Sequence, residues 1–293
     1  MSRRSTGGPD GIAVVDKEAG WTSHDVVAKS RGLLGTRKVG HSGTLDPDAT
    51  GVLVLGVGRA TRLLRFLTLL PKSYVTTIRF GVETATLDAA GEVTATHDMS
   101  GLEPQRVVDE ARRFLGEIQQ VPPMVSAIKV GGRRLHELAR EGIEIERAPR
   151  NVRVDRFDLA PTDDPLVWTA TIDCGSGTYV RSLAADLGAA LGGGAHITSL
   201  RRTAVGGFTE ADATPLEQVS LLPLSEAARG MPSLIVDDDV VDSVRVGMVL
   251  GPDRLPIDGD GPWYLHDGSG ALVAVYERHR DGVRAKPSVV LIS

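Results

Sequence analysis

Residues 38–57, KVGHSGTLDPDATGVLVLGV, run from a polar, glycine-rich segment directly into an apolar one. The apolar half, Val52–Val57, reads as a central strand. The polar half holds Gly40, Gly43, Gly51, one histidine and the two carboxylates Asp46 and Asp48. It is too rich in Gly, Pro, Ser and Asp for a regular element, so it reads as a loop. Glycines there permit close approach of a ligand and unusual backbone angles. Pro47 biases the residue before it toward an extended conformation, which would fix how Asp46 presents its carboxylate. On pattern alone, the same residues also make an ordinary structural turn.

Upstream of this loop, GIAVVDK (11–17) reads as a short buried strand that leaves into a turn at Ala19-Gly20. Ser23 is the expected N-cap of a helix carrying Val26, Val27 and Leu33 and closed by Gly35. Downstream, ATRLLRFLTLL has helical spacing, and SYVTTIRFG alternates as a strand does. Glu103-Pro104 introduces an amphipathic helix over about 105–115. VPPMVSAIKVGGRRLHELAREG then predicts a Pro-Pro entry, a short strand, a Gly-Gly turn and a basic helix. Strands follow at about 151–159 and in WTATIDCG, then the helix YVRSLAADLGAAL and the strand HITSLRRTAVGGF. Past Pro215 a helical stretch is expected to about Arg229, and the remainder holds short strands split by Gly, Pro and Asp. The polar start, residues 1–10, lacks the apolar stretch of a signal peptide and reads as a flexible tail.

No apolar run approaches the roughly 20 residues a membrane helix needs. The single cysteine, Cys174, excludes an internal disulfide and a multi-cysteine zinc site, and is expected as a small buried strand residue. These features point to a cytoplasmic enzyme or binding protein. The net charge of −5 argues at first against nucleic acid. The charge is unevenly spread, however: from Thr209 onward there are 14 acidic and 7 basic residues, against 24 and 26 before it. Arg59, Arg62, Arg65, Lys72 and Arg79 form a basic run with no acid among them. A basic nucleic-acid surface and a solvated helix face both fit such a run.

Asp46, Asp48 and Thr50 match the D-x-D-x-T pattern of haloacid-dehalogenase-type phosphatases, in which the first Asp attacks phosphorus beside a magnesium ion. That motif directly follows a buried strand, and RKVGHSGTL is a poor one. SLIVDDD (233–239) would be the companion strand, but it lies badly in the order of elements.

A second resemblance covers far more of the chain. DKEAGWTSHDVV, RKVGHSGTLDPDATGVLVLGVGRATRLL, KSYVTTIRFG, VPPMVSAIKVGGRRLHELAREG, GTYVRSLAADLG and LRRTAVGGF resemble, in order, the bacterial TruB family of tRNA pseudouridine synthases over about 11–208. The resemblance implies isomerisation of the uridine at position 55 of the tRNA T-loop, with the base flipped out and neither cofactor nor metal. It implies an α+β fold: a mixed, largely antiparallel sheet flanked by helices (the pseudouridine synthase fold), with a small C-terminal β-barrel-like, PUA-like domain. The expected division is 11–229 for the catalytic domain, with a thumb-like insertion at about 122–150, and 230–293 for the small domain.

By the same resemblance Asp46 is the catalytic carboxylate. His41 faces the space the flipped nucleotide vacates, Tyr74 stacks on the target base, and Arg181 pairs with the catalytic Asp. Tyr179 lines the same pocket, and Leu200 makes an apolar contact to the base. In the thumb, Lys129, Arg133, Arg134 and Arg140 would contact phosphates, a salt-sensitive and sequence-blind contribution. Val125 and His136 stand where the family commonly has an aromatic residue and a tyrosine, so no stacking role is assigned to either. The acidic C-terminal part, with Asp237-Asp238-Asp239, suits phosphate binding poorly. No membrane and no obligate protein partner are expected. A different class fits the same scaffold: an RNA-binding protein that remodels tRNA without chemistry.

Overall fold

The computed structural model describes residues 8–126, 129–130, 133–134, 141, 143 and 145–292, of which 129, 130 and 134 are described by their backbone only. Residues 1–7 of the expected tail, the expected thumb helix with Arg140, and the side chains of Lys129 and Arg134 lie outside the described residues. The chain divides into two compact units, one of residues 1–47, 51–68 and 205–293, the other of residues 48–50 and 69–204.

In the first unit the strand Gly11–Lys17 lies antiparallel to Thr50–Val57, with Gly11 opposite Val57 and Lys17 opposite Gly51. Val39–His41 adds to Thr50–Val57, so the loop's first residues are a short strand that its polar composition concealed. Thr214–Pro215 runs parallel to Val15-Asp16, which makes the sheet mixed. The helix Ser23–Leu33 covers it, packing Val26 and Val27 onto Ala13, Val15, Leu53, Leu55 and Val57. Full burial of each such side chain stabilises by roughly 1.5–3 kcal/mol. The helix starts one residue earlier than its sequence suggests. Thr22 is the N-cap, accepting from the N–H of Asp25 while the Asp25 carboxylate accepts from that of Thr22, and this frees Ser23 for another task. Its end does follow the sequence, with Gly35 left-handed at φ 63°.

The expected helix past Pro215 is absent. Only 3₁₀ turns form, at Leu216–Gln218 and Leu224–Ala228. Pro223 denies the residue before it a helical conformation, and Leu222 instead exchanges both backbone hydrogen bonds with Ile12, at 3.1 and 2.8 Å. The C-terminal strands Ser233–Ile235, Trp263–His266, Leu272–Arg278 and Ala285–Val290 form a four-stranded sheet in that order. The helix Asp238–Arg245 packs Val240 and Val244 into a core with Trp263 and Tyr276. The acidic run belongs to this helix: Asp237 caps it through the N–H of Val240, and Asp238 and Asp239 occupy its first turn, where the helix dipole favours negative charge.

The basic run is similarly engaged. Arg59 donates to the carbonyl of Leu291 at 2.5 Å and Arg62 to that of Val290 at 2.6 Å. Arg65 bonds Ser288 and lies 3.3 Å from Glu277. These three arginines, which lie on or beside the 3₁₀ turn Gly58–Leu63 and the helix Leu64–Leu67, fasten the final strand of the C-terminal sheet.

In the second unit the strand order is Ala195–Val205, Lys72–Phe80, Val167–Cys174, Arg150–Pro161 and Gly116–Gln120. The last three pairings are antiparallel, with a bulge between Val154 and Arg156. Helices Pro104–Ala111 and Val180–Ala190 pack Val107, Ala111, Leu183 and Leu187 against Ile78, Phe80, Trp168 and Ile172. Cys174 is buried in this core, as expected, and burial pushes its thiol up to about 11. Val82–Thr84 and Val93–Thr96 form a separate antiparallel pair, and Lys129–Val130 pairs with Arg133–Arg134. The architecture is thus α+β, with a mixed, largely antiparallel sheet flanked by helices and a small C-terminal sheet.

Candidate active site

Asp46 lies half-buried in the first unit, in a loop held on both of its sides. On one side, the hydroxyl of Ser23 accepts from the N–H of Leu45 at 2.8 Å and donates to its carbonyl at 3.2 Å. On the other, the carbonyl of Pro47 accepts from the Lys17 ammonium at 2.9 Å and from the N–H of Gly20 at 3.0 Å. Lys17 is 1% exposed and also donates to the carbonyls of Glu18 and Trp21, at 2.9 and 2.6 Å. The strand ending in Lys17 therefore delivers a buried ammonium that ties the turn of Glu18 and Trp21 to the loop at Pro47. Both neighbours of Asp46 are fixed by side chains from Gly11–Lys17 and Ser23–Leu33. Farther along, Gly51 takes φ 99°, a left-handed angle that lets the chain turn from the loop into its strand.

His41 is partly buried at the loop's start. Its Nδ1 accepts from the N–H of Gly43 at 3.3 Å, and its ring meets that of His24 edge-on at 5.4 Å. The other expected contacts, Tyr74, Tyr179, Arg181 and Leu200, all belong to the second unit. Tyr74 stands opposite Ile172 across the sheet, and it and Leu200 are half-buried against the same core. Tyr179 caps the helix Val180–Ala190, and the buried amide of Gln120 grips its backbone twice. Gln120 accepts from its N–H at 2.7 Å and donates to its carbonyl at 3.0 Å.

Arg181 is 4% exposed, and its guanidinium donates to the carbonyls of Thr86 at 3.0 Å and Val125 at 2.8 Å. The same group lies 3.4 Å from the carboxylate of Asp88. This unit also buries Lys72, 7% exposed, which donates to the carbonyl of Leu70 at 2.6 Å. Burial, helped by the neighbouring charge of Arg202, brings its ammonium down to about 8. In the segment expected as a thumb, Arg133 is exposed and paired with Glu141 at 2.5 Å.

Lys17, Ser23, Gln120 and Asp88 were not singled out as site residues by sequence. Lys17 left one signal, a lysine closing an otherwise apolar strand. Ser23 was assigned to a cap. Asp88, in TLDAAG, reads as a turn residue, and Gln120 gives no local sign at all.

Two outcomes follow from this geometry. Ser23→Ala leaves both buried backbone groups of Leu45 without this partner, which costs roughly 1–3 kcal/mol. Turnover should fall with the melting temperature, and a variant that keeps both would detach Ser23 from the support of Asp46. For Lys72 the folded state holds its proton less tightly than the unfolded chain does, so stability climbs with pH from about 8 to the ordinary lysine value of 10.5. Lys72→Met is expected to raise stability at pH 7, by on the order of 1–3 kcal/mol, with the gain shrinking toward pH 10. Denaturant melts across that range read it directly.

The model of the TruB family pseudouridylate synthase N-terminal domain matches residues 31–180, and that of the tRNA pseudouridylate synthase B C-terminal domain matches residues 181–230. The tRNA pseudouridine synthase B of Rhodococcus jostii (strain RHA1) is 50% identical over 291 residues, covering 96% of this chain and 93% of that protein. Its counterpart in Mycobacterium sp. (strain KMS) is 44% identical, covering 100% and 98%. Among solved structures, a Cbf5-Nop10-Gar1 complex superposes with a TM-score of 0.71 at 25% identity, covering 91% of this chain and 78% of that one. An H/ACA RNP bound to a substrate RNA containing 2′-deoxyuridine gives 0.72 at 22% identity, over 97% and 85%, and shares the fold. The chain belongs to the TruB family, and it is a tRNA pseudouridine synthase, an isomerase.

Proposed function

We propose that the enzyme converts the uridine at position 55, in the T-loop of tRNA, to pseudouridine, with Asp46 as the catalytic carboxylate. The observation that carries this reading is the loop itself. Asp46 is the residue between two neighbours whose backbone groups are held, and a carboxylate carried on such a fixed stretch enters the reaction with less left to order. The reaction breaks the C1′–N1 bond, turns the base, and joins C1′ to C5. C5 gives up its hydrogen to solvent and N1 acquires one, so the balance needs no oxidant and no cofactor. The target base sits inside the folded T-loop, and the enzyme reaches it by flipping it out. His41 stacks in the space vacated, and Tyr74 stacks on the base, a contact of roughly 1–3 kcal/mol. Tyr179 and Leu200 line the pocket, and Arg181 holds the carboxylate ionised. Lys129, Arg133, Arg134 and Arg140 of the thumb neutralise backbone phosphates of the T-stem and loop, for which Arg133 must leave Glu141. Residues 11–229 form the catalytic part and 230–293 a PUA-like module whose share in tRNA binding is modest. A tRNA substrate places the enzyme in the cytoplasm.

Tritium release from unmodified tRNA carrying [5-³H]uridine tests the reading. Release is expected both with and without EDTA, and it should vanish when uridine 55 is replaced by cytidine. Release that persists with the replaced tRNA would move the target elsewhere. Activity abolished by EDTA would reopen metal-dependent chemistry at Asp46.

A further inference from the structure

The segment Thr84–Gly91 carries more order than a connection between two short strands needs. The hydroxyl of Thr86 donates to Oδ1 of Asp88 at 2.5 Å, and the N–H of Ala90 donates to the same oxygen at 3.2 Å. With Oδ1 so held, Oδ2 is the oxygen presented to Arg181, 3.4 Å from Nη1. The carbonyl of Thr86 accepts from that same Nη1 at 3.0 Å. Thr86 thus touches both members of the ion pair, one through its backbone and the other through its side chain.

The backbone is arranged to allow this. Leu87, between the two, takes φ 63°, the only left-handed non-glycine angle among the described residues. A side-chain-bearing residue keeps such an angle only where its surroundings over-determine it. Here the N–H of Leu87 donates to the carbonyl of Thr84 at 3.1 Å, and its own carbonyl accepts from Ile197 at 3.2 Å. The Thr84 hydroxyl donates to the carbonyl of Asp88 at 2.7 Å. A Cβ on Gly91 would fall 2.4 Å from the Thr86 hydroxyl oxygen, so the glycine leaves that oxygen its room. An ordinary turn requires none of this convergence on one guanidinium.

We propose that Thr86 is a positioning residue for the reaction: by fixing the Asp88 carboxylate and bonding the Arg181 guanidinium, it sets the direction in which Arg181 acts. The inference rests on the role of Arg181 proposed above. A guanidinium is planar and works by direction, so an ion pair that can swivel supports the transition state less well than one that is locked.

The test is steady-state tritium release by Thr86→Val, which keeps the shape and removes the hydroxyl, beside Thr86→Ser, which restores it. For Thr86→Val, kcat is expected to fall about tenfold, equivalent to about 1.4 kcal/mol, with KM for tRNA within about twofold. Thr86→Ser should recover kcat to within about threefold of wild type. Thr86→Ala serves in place of the valine variant if that one does not fold. Unchanged kcat per folded molecule in the valine or alanine variant overturns the proposal, and so does a loss that serine fails to restore. The two readings fail separately: wild-type enzyme that releases no tritium removes the reaction assignment, whereas active wild type with an indifferent Thr86→Val removes only this inference.

Discussion

Asp46→Asn is expected to lower turnover by at least about 10³-fold, equivalent to about 4 kcal/mol of transition-state stabilisation, while tRNA affinity stays within a few-fold. The substitution keeps size and shape and removes only the ionised carboxylate. The anchors of this loop, from Ser23 to Leu45 and from Lys17 and Gly20 to Pro47, all bond backbone groups of the neighbours, so the loop should keep its path. Affinity is insulated for another reason: binding of tRNA is dominated by phosphate contacts, to which a single loop carboxylate contributes little. Single-turnover tritium release and filter binding on the same preparation separate the two quantities. Wild-type turnover in the asparagine variant would remove Asp46 from the chemistry. Loss of binding in parallel with turnover would make the loop a docking element instead.

Arg181→Lys is expected to be nearly as damaging, lowering turnover by roughly 10²–10³-fold, about 3–4 kcal/mol, and stability by about 3 kcal/mol. The guanidinium spans the carbonyls of Thr86 and Val125 and the carboxylate of Asp88 from a position almost wholly out of water. One ammonium cannot reproduce this fork. Whatever it fails to reach is left without that partner in a poorly solvated place, and this is why breaking a buried pair costs more than forming it gains. Activity must be normalised to folded protein, since both effects are expected together. An unfolding midpoint and turnover close to wild type would show that the fork is dispensable.

How much of this was legible beforehand differs from residue to residue, and the difference follows contact distance along the chain. The sequence led to Asp46 through its family resemblance, since Pro47, the glycines and the following apolar strand, taken alone, fit an ordinary turn equally well. It also determined most of the elements. Strand Gly11–Lys17 and helix Val180–Ala190 announce themselves through periodicity, and helix Ser23–Leu33 through its Gly35 stop, since these depend on neighbours less than a helical turn or a strand length away. The family resemblance, carried by six ordered motifs, supplied the sheet architecture that periodicity only permitted.

Tertiary structure alone decided which distant residues the candidate side chains and their supports meet. Lys17 meets Pro47 across 30 residues, Gln120 meets Tyr179 across 59, and Arg181 meets Thr86 across 95. No local pattern encodes a bond of that span. It also decided what the charges are for. Arg59 and Arg62 fit a nucleic-acid surface or a solvated face by sequence, and only the fold shows each also bonding a carbonyl more than 200 residues away. Asp237 looks hostile to RNA until it is seen capping a helix. Between Pro215 and Arg229 the apolar spacing favoured a helix, but Pro223 and the backbone of Ile12 drew the chain into turns. A buried hydrogen bond left unmade costs more than a local preference gains. Local sequence therefore proposes the elements, and hydrogen bonds between residues far apart along the chain settle where they go.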